Sequence, residues 1–129
     1  MALLIRYNLE AVGFHVHWID DGAAAFDELL RLKPDVVLLD WSLPRLAGIQ
    51  ILRKIRVSPA LCTLPVLMVT GRSGSEDRAR AIAIGADDFL VKPVAMTAIV
   101  GRLTQLMDRS TSGIHRARQR LSILSDLGD

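Results

Sequence analysis

The stretch Pro34-Asp35-Val36-Val37-Leu38-Leu39-Asp40-Trp41 decides the fold. Proline stops the element before it, four apolar residues follow without alternation, and a carboxylate closes the run. A strand with no polar face is buried on both sides, as in a parallel sheet covered by helices. Val66–Thr70, opened by Pro65, repeats the pattern and ends on a hydroxyl, and a third short strand over 89–91 runs into Lys92-Pro93. Between and around them, apolar residues return at helical spacing. Leu3, Leu4, Tyr7 and Val12 mark a helix over 2–12, and Phe26, Leu29 and Leu30 one over 23–33. Further helices follow over 49–57, Ser75–Ile84 and 95–107. Phe14–Ile19 alternates and reads as a strand. Residues 1–107 therefore run α-β-α-β-α-β-α-β-α, which predicts an α/β fold, a doubly wound parallel sheet with helices on both faces.

Composition bounds the rest. The chain has 129 residues, 50% of them hydrophobic and 23% charged, enough for a real core and too apolar for a disordered tail. The net charge of +2 lies wholly in residues 101–129, with five Arg against three Asp, while residues 1–100 balance eleven against eleven. Body and tail are therefore read apart: a domain over 1–107, then a linker and short basic helical tail over 108–129, with a helix expected at 114–127. Three arginines in that tail do not make a DNA-binding module, so no direct nucleic-acid binding by this chain alone is expected. Cys62 is the only cysteine, which removes internal disulfides and Cys-based zinc sites. The apolar runs are too short to span a bilayer and the start lacks the pattern of a secretion signal, so a cytoplasmic protein with no membrane contact is expected.

Doubly wound sheets carry their active groups at the carboxyl ends of the strands. Asp40, Thr70 and Lys92 stand at three such ends. A carboxylate, a hydroxyl and an ammonium in one crevice suit phosphoryl chemistry, with Asp40 as nucleophile and the other two contacting phosphoryl oxygens. Such transfer also calls for a divalent ion, and Mg²⁺ prefers oxygen ligands. An ordinary Asp40–Lys92 ion pair at the sheet edge would use the same residues. Other clusters read more blandly: His15 and His17 as solvent-facing positions of a strand, Asp20-Asp21 as turn and helix cap, Cys62 as an inert loop thiol.

Residues 1–107 resemble the receiver domain of bacterial two-component response regulators. The likeness rests on residues 34–44 (PDVVLLDWSLP) with Gly48, on 65–72 (PVLMVTGR), and on 85–93 (GADDFLVKP). The Trp after the Asp and the Gly-Ala-Asp-Asp segment look most like the winged-helix DNA-binding class. The resemblance implies a flavodoxin-like fold in which Asp40 accepts a phosphoryl group from a sensor histidine kinase. It also implies that Thr70 and Lys92 contact that group, that Phe89 is the switch aromatic, and that the Ser42 carbonyl joins Asp40 on Mg²⁺. A homodimer would form through a face holding Arg78, Asp87, Asp88, Arg102 and Arg109, with Asp88 and Arg102 paired across it. The expected role is a phosphorelay regulator rather than an enzyme, at most catalysing its own phosphorylation and dephosphorylation.

One part of the family pattern is missing. Receivers begin with a central strand ending in two acids that hold the metal, and this sequence starts at the first helix. The sheet is therefore expected to lack its central strand. The strand could be encoded upstream, its slot could be filled by a partner or swapped segment, or Phe14–Ile19 could close directly on Val36–Asp40. Without the acidic pair, a phosphorylation-independent interaction module, a pseudo-receiver, stands as the alternative function.

Overall fold

A computed structural model describes residues 2–41, 47–71, 75–92, 95–111 and 119–124. The elements are α1 (Ala2–Ala11), β1 (Phe14–Ile19), α2 (Gly22–Leu32), β2 (Val36–Asp40), α3 (Gly48–Val57), β3 (Val66–Thr70), α4 (Ser75–Ile84), β4 (Asp88–Val91), α5 (Met96–Thr111) and β5 (Gln119–Leu124). Local chemistry sets several of the boundaries. The Asp21 carboxylate accepts the Ala23 N–H at 2.9 Å and starts α2, and Lys33 ends it in the left-handed conformation just before Pro34. Gly85 ends α4 at φ +132, where a Cβ would press on the Arg56 side chain at 2.8 Å.

All five strands are parallel, in the order β1-β5-β2-β3-β4. The α/β doubly wound architecture is as the sequence predicts, but the central slot is not empty. The C-terminal β5 fills it, in register with β1 from Phe14↔Gln119 to Ile19↔Leu124 and with β2 from Val36↔Leu121 to Leu39↔Leu124. Of the three expectations for that slot, a segment filling it is the one realised, and the segment belongs to the same chain.

The tail expectation is corrected accordingly. Helix α5 runs on to Thr111, through most of the segment read as a linker, and residues 119–124 are a strand rather than part of a helix. The division at residue 107 does not hold, because β5 is part of the one sheet. A short apolar run cannot be told from a helix segment by periodicity alone. Here the open hydrogen-bonding edges of β1 and β2 decide, since unpaired buried backbone is costly. Leu121, Ser122, Ile123 and Leu124 are each at most 1% exposed. Burying each of the three apolar side chains contributes about 1.5–3 kcal/mol. Their sum is comparable with a domain's whole stability of about 5–15 kcal/mol, so β5 is integral.

Two core layers sandwich the sheet. Ala25, Leu29, Ile51, Leu52, Ile55 and Ala81, from α2, α3 and α4, cover one face together with Val37, Leu39, Met68 and Leu124. Leu9 of α1 and Ile99, Leu103, Leu106 and Met107 of α5 cover the other, against Val36, Leu38, Leu67, Leu121 and Ile123. From β2 to β4 the chain steps one way across the sheet with helices on the first face. The return from β4 to β5 goes the other way with α5 on the second face. Reversing direction and face together keeps the crossover hand unchanged, as parallel units require. The start of β5 is clamped: the Asp35 N–H donates to the Arg120 carbonyl and the Arg120 N–H to Asp35 Oδ2, both at 2.8 Å. Arg120 Nη1 adds a bond to the Leu32 carbonyl at 3.2 Å.

Candidate functional site

Asp40, Thr70 and Lys92 do converge at the carboxyl edge of the sheet. Register puts Asp40 beside Val69 and Thr70 beside Val91, so the three residues end adjacent strands or directly follow one. Lys92 then turns back: its N–H donates to the Thr70 carbonyl at 2.7 Å, and its Nζ donates to Asp40 Oδ2 at 2.9 Å. The Asp40 side chain is only 7% exposed, while that of Lys92 is 32% exposed. A nearly buried carboxylate neutralised by one movable cation keeps a nucleophilic oxygen within reach of a small anionic group.

The loop after Asp40 is held from both ends. The Trp41 N–H donates to the Val69 carbonyl at 2.9 Å, and the Gly48 N–H donates to the Trp41 carbonyl at 2.7 Å. Gly48 opens α3 so close to the strand end that a Cβ there would overlap the Asp40 carbonyl oxygen. Trp41 is buried and meets Phe89 edge-on, with ring centroids 6.3 Å apart and planes at 84°. That T-shaped contact ties the residue after Asp40 to the aromatic three positions before Lys92.

The remaining predicted residues fall out unevenly. Arg78 is exposed on α4. Asp87 is not free for a dimer face: its Oδ2 accepts from Arg56 Nη2 at 2.9 Å and from the Val66 N–H at 2.8 Å. The same guanidinium donates to the carbonyls of Gly85, Cys62 and Leu64, so Asp87 belongs to a staple joining α3, β3 and the start of β4. Asp88 and Arg102, expected to pair across a dimer, pair within the chain at 2.6 Å. Ser42 and the side chain of Arg109 lie outside the described residues. Asp21 caps α2 as predicted, and Asp20 follows β1, separated from β2 by β5. His17 Nε2 lies 3.8 Å from Glu28, and no group of three His, Cys, Asp or Glu able to hold a metal exists among the described residues.

Sequence reasoning missed β5, its Arg120–Asp35 clamp and the Arg56 staple. A signal for the first was present. Leu121-Ser122-Ile123-Leu124, with Asp126 two positions on, has nearly the form of Val36–Asp40, a buried run followed by a carboxylate.

The sequence model of the response regulator receiver domain matches residues 1–104. The chain belongs to that family. Among curated relatives, it is 39% identical over 110 residues to the phosphate regulon transcriptional regulatory protein PhoB of Rhizobium meliloti (strain 1021), covering 85% of this chain and 48% of that protein. It is 32% identical over 123 residues to the response regulator MprA of Mycolicibacterium vanbaalenii, covering 95% of this chain and 52% of the relative. The receiver domain thus spans about half the length of the curated relatives it matches. Among solved structures, the signal receiver domain of a signal transduction histidine kinase from Syntrophus aciditrophicus superposes with a TM-score of 0.78 at 27% identity, over 90% of this chain and 89% of that one. A receiver domain of a putative Luxo repressor protein from Vibrio parahaemolyticus reaches 0.80 at 22% identity, covering 88% of this chain and 89% of that one, and supports the fold alone. The receiver belongs to a two-component response regulator of the PhoB and MprA kind. No described helix is long and apolar enough to cross a membrane.

Proposed function

We propose that this receiver takes a phosphoryl group on Asp40 from a sensor histidine kinase in the cytoplasm and uses it to switch an output surface. The observation that carries the reading is the Lys92 Nζ–Asp40 Oδ2 contact of 2.9 Å at the strand ends, with Thr70 on the adjoining strand. An Asp40 carboxylate oxygen forms the new bond to phosphorus while the donor's bond to phosphorus breaks, leaving an acyl phosphate whose added charge Lys92 offsets. Thr70 contributes a hydroxyl to a phosphoryl oxygen. Phe89, packed on Trp41, relays the change to the face of α4, β4 and α5, through which a homodimer forms. The protein acts as a regulator rather than an enzyme, and without nucleic-acid binding by this chain alone.

Mg²⁺ is the implied cofactor, and the described residues do not by themselves make its site. Asp40 is one carboxylate, its charge already offset by Lys92. Mg²⁺ is bound through one or two carboxylates together with waters and substrate phosphate, and no second carboxylate adjoins Asp40 among the described residues. Incubation with acetyl phosphate and Mg²⁺, followed by intact-mass measurement, tests the phosphoacceptor reading. One added phosphoryl mass, lost in Asp40→Asn, supports it. No added mass in the unaltered protein sinks it in favour of the phosphorylation-independent interaction module, whose support is the incomplete metal site.

A further inference from the structure

We infer that the C-terminal strand completes the Asp40 site, with Asp126 as the second carboxylate for a divalent cation. The inference rests on the reading of Asp40 given above and names a residue that the first 107 positions of the sequence do not contain.

The placement follows from β5. Leu39↔Leu124 is the last pair between β2 and β5, so β5 ends level with the residue before Asp40 and on the strand beside it. Neighbouring strands lie about 4.8 Å apart, and two further residues of backbone reach about 7 Å at most. Asp126 is two residues after Leu124. The other acids are excluded by topology. Asp20 follows β1, which β5 separates from β2, and Asp87 and Asp88 sit at the opposite end of the sheet, beside the starts of β3 and β4. The Asp21 carboxylate is spent on the α2 cap.

The charge balance points the same way. Asp40 with Lys92 sums to zero and offers a dication little attraction. Asp40, Lys92 and a second carboxylate sum to −1, with oxygen donors of the kind Mg²⁺ takes. The clamp between Arg120 and Asp35 fixes the β5 register that determines which residue emerges beside Asp40. A slip of one residue would turn every β5 side chain to the other face, so register and cation site are tied together.

The test is Mg²⁺ binding read by Trp41 fluorescence. Of the two tryptophans in the chain, Trp18 is first changed to Phe so that Trp41 reports alone. Titration from micromolar to tens of millimolar Mg²⁺ is compared for this background, Asp126→Asn, Asp129→Asn and Asp20→Asn, each checked for folding by circular dichroism. A saturable response weakened by more than about tenfold in Asp126→Asn, as for lost metal-site interactions, and unchanged in Asp129→Asn and Asp20→Asn supports the assignment. Unchanged affinity in folded Asp126→Asn, or no response in the parent, overturns it. Acetyl phosphate uptake in the same samples separates the two readings. A parent that binds Mg²⁺ through Asp126 yet gains no phosphoryl mass removes the phosphoacceptor reading and keeps this one. Uptake that depends on Asp40, with Mg²⁺ affinity indifferent to Asp126, does the reverse.

Discussion

Lys92 Nζ and Asp40 Oδ2, 52 positions apart in sequence, are 2.9 Å apart across the carboxyl edge of the sheet, with the carboxylate almost fully buried. Removing one partner of such a pair leaves a buried charge uncompensated, which costs more than the pair contributes. Lys92→Ala is therefore expected to destabilise the fold by about 1–3 kcal/mol, below the fully buried range because Lys92 itself reaches solvent. Asp40→Asn in the Lys92→Ala background should recover most of that loss. Urea denaturation of the four proteins of the cycle measures it, and additive effects would mean that the contact contributes nothing.

Ile123 separates a central strand from a loose tail. Its side chain is 1% exposed, in the core layer formed with α5. Ile123→Ala should cost about 2–5 kcal/mol, the range for truncating a buried aliphatic residue. A tail on the surface would lose less than about 0.5 kcal/mol. Thermal or urea unfolding decides, and a surface-like value would remove β5 from the sheet.

Much of this fold is legible in the sequence, because Val36–Asp40 and Val66–Thr70 are apolar throughout and no element but a strand buried on both faces suits such short runs. Asp40, Thr70 and Lys92 are legible for the same reason: each directly ends or follows a strand, and parallel strands gather their ends. β5 is not, because Leu121 and Leu124 fit helical spacing as well as a strand and only the open edges of β1 and β2, distant in sequence, settle the matter. Asp87 misleads in another way. As an acid at the start of a strand it reads as surface, and only folding brings Arg56, 31 positions earlier, against it.

Ser122 sets a flaw in the middle of β5. Its hydroxyl is buried and meets no hydrogen-bond partner among the described residues, in a row between His17 and Val37. Leaving a hydroxyl unsatisfied costs about 1–3 kcal/mol, and removing it leaves only a small void. Ser122→Ala is expected to be neutral or to stabilise by up to about 1 kcal/mol. A clear loss in the unfolding midpoint would show that the hydroxyl is bonded.

The exposed pair on α2 gives a pH signature. Arg31 donates to both Glu28 oxygens, at 3.0 and 3.1 Å, and this bond, with a smaller contribution from His17, holds the Glu28 carboxyl below its usual range. A carboxyl depressed in the folded state stabilises above its unfolded pKa and loses that contribution as pH falls through the folded one. The stability of the unaltered protein should therefore fall more steeply than that of Glu28→Gln as pH drops below the ordinary carboxylate range. Added salt should shrink the difference because both groups face solvent. Parallel curves, measured by denaturant unfolding from neutral pH downward, would show that the pair has no linkage to folding.

Gly48 sets two effects of opposite sign against each other. As the first residue of α3 it forfeits up to about 1 kcal/mol of helix propensity relative to alanine. An added methyl would overlap the Asp40 carbonyl oxygen and lie 3.1 Å from the Trp41 Cα. Both of those atoms are backbone and cannot rotate away, so the helix start or the strand end must shift. Such overpacking costs about 1–3 kcal/mol, and steric strain wins. Gly48→Ala should lower stability, alter Trp41 emission and slow phosphoryl uptake together, because Trp41 and Asp40 move with the same backbone. A variant that is less stable but keeps both the emission spectrum and the uptake rate would show that α3, rather than the end of β2, gives way.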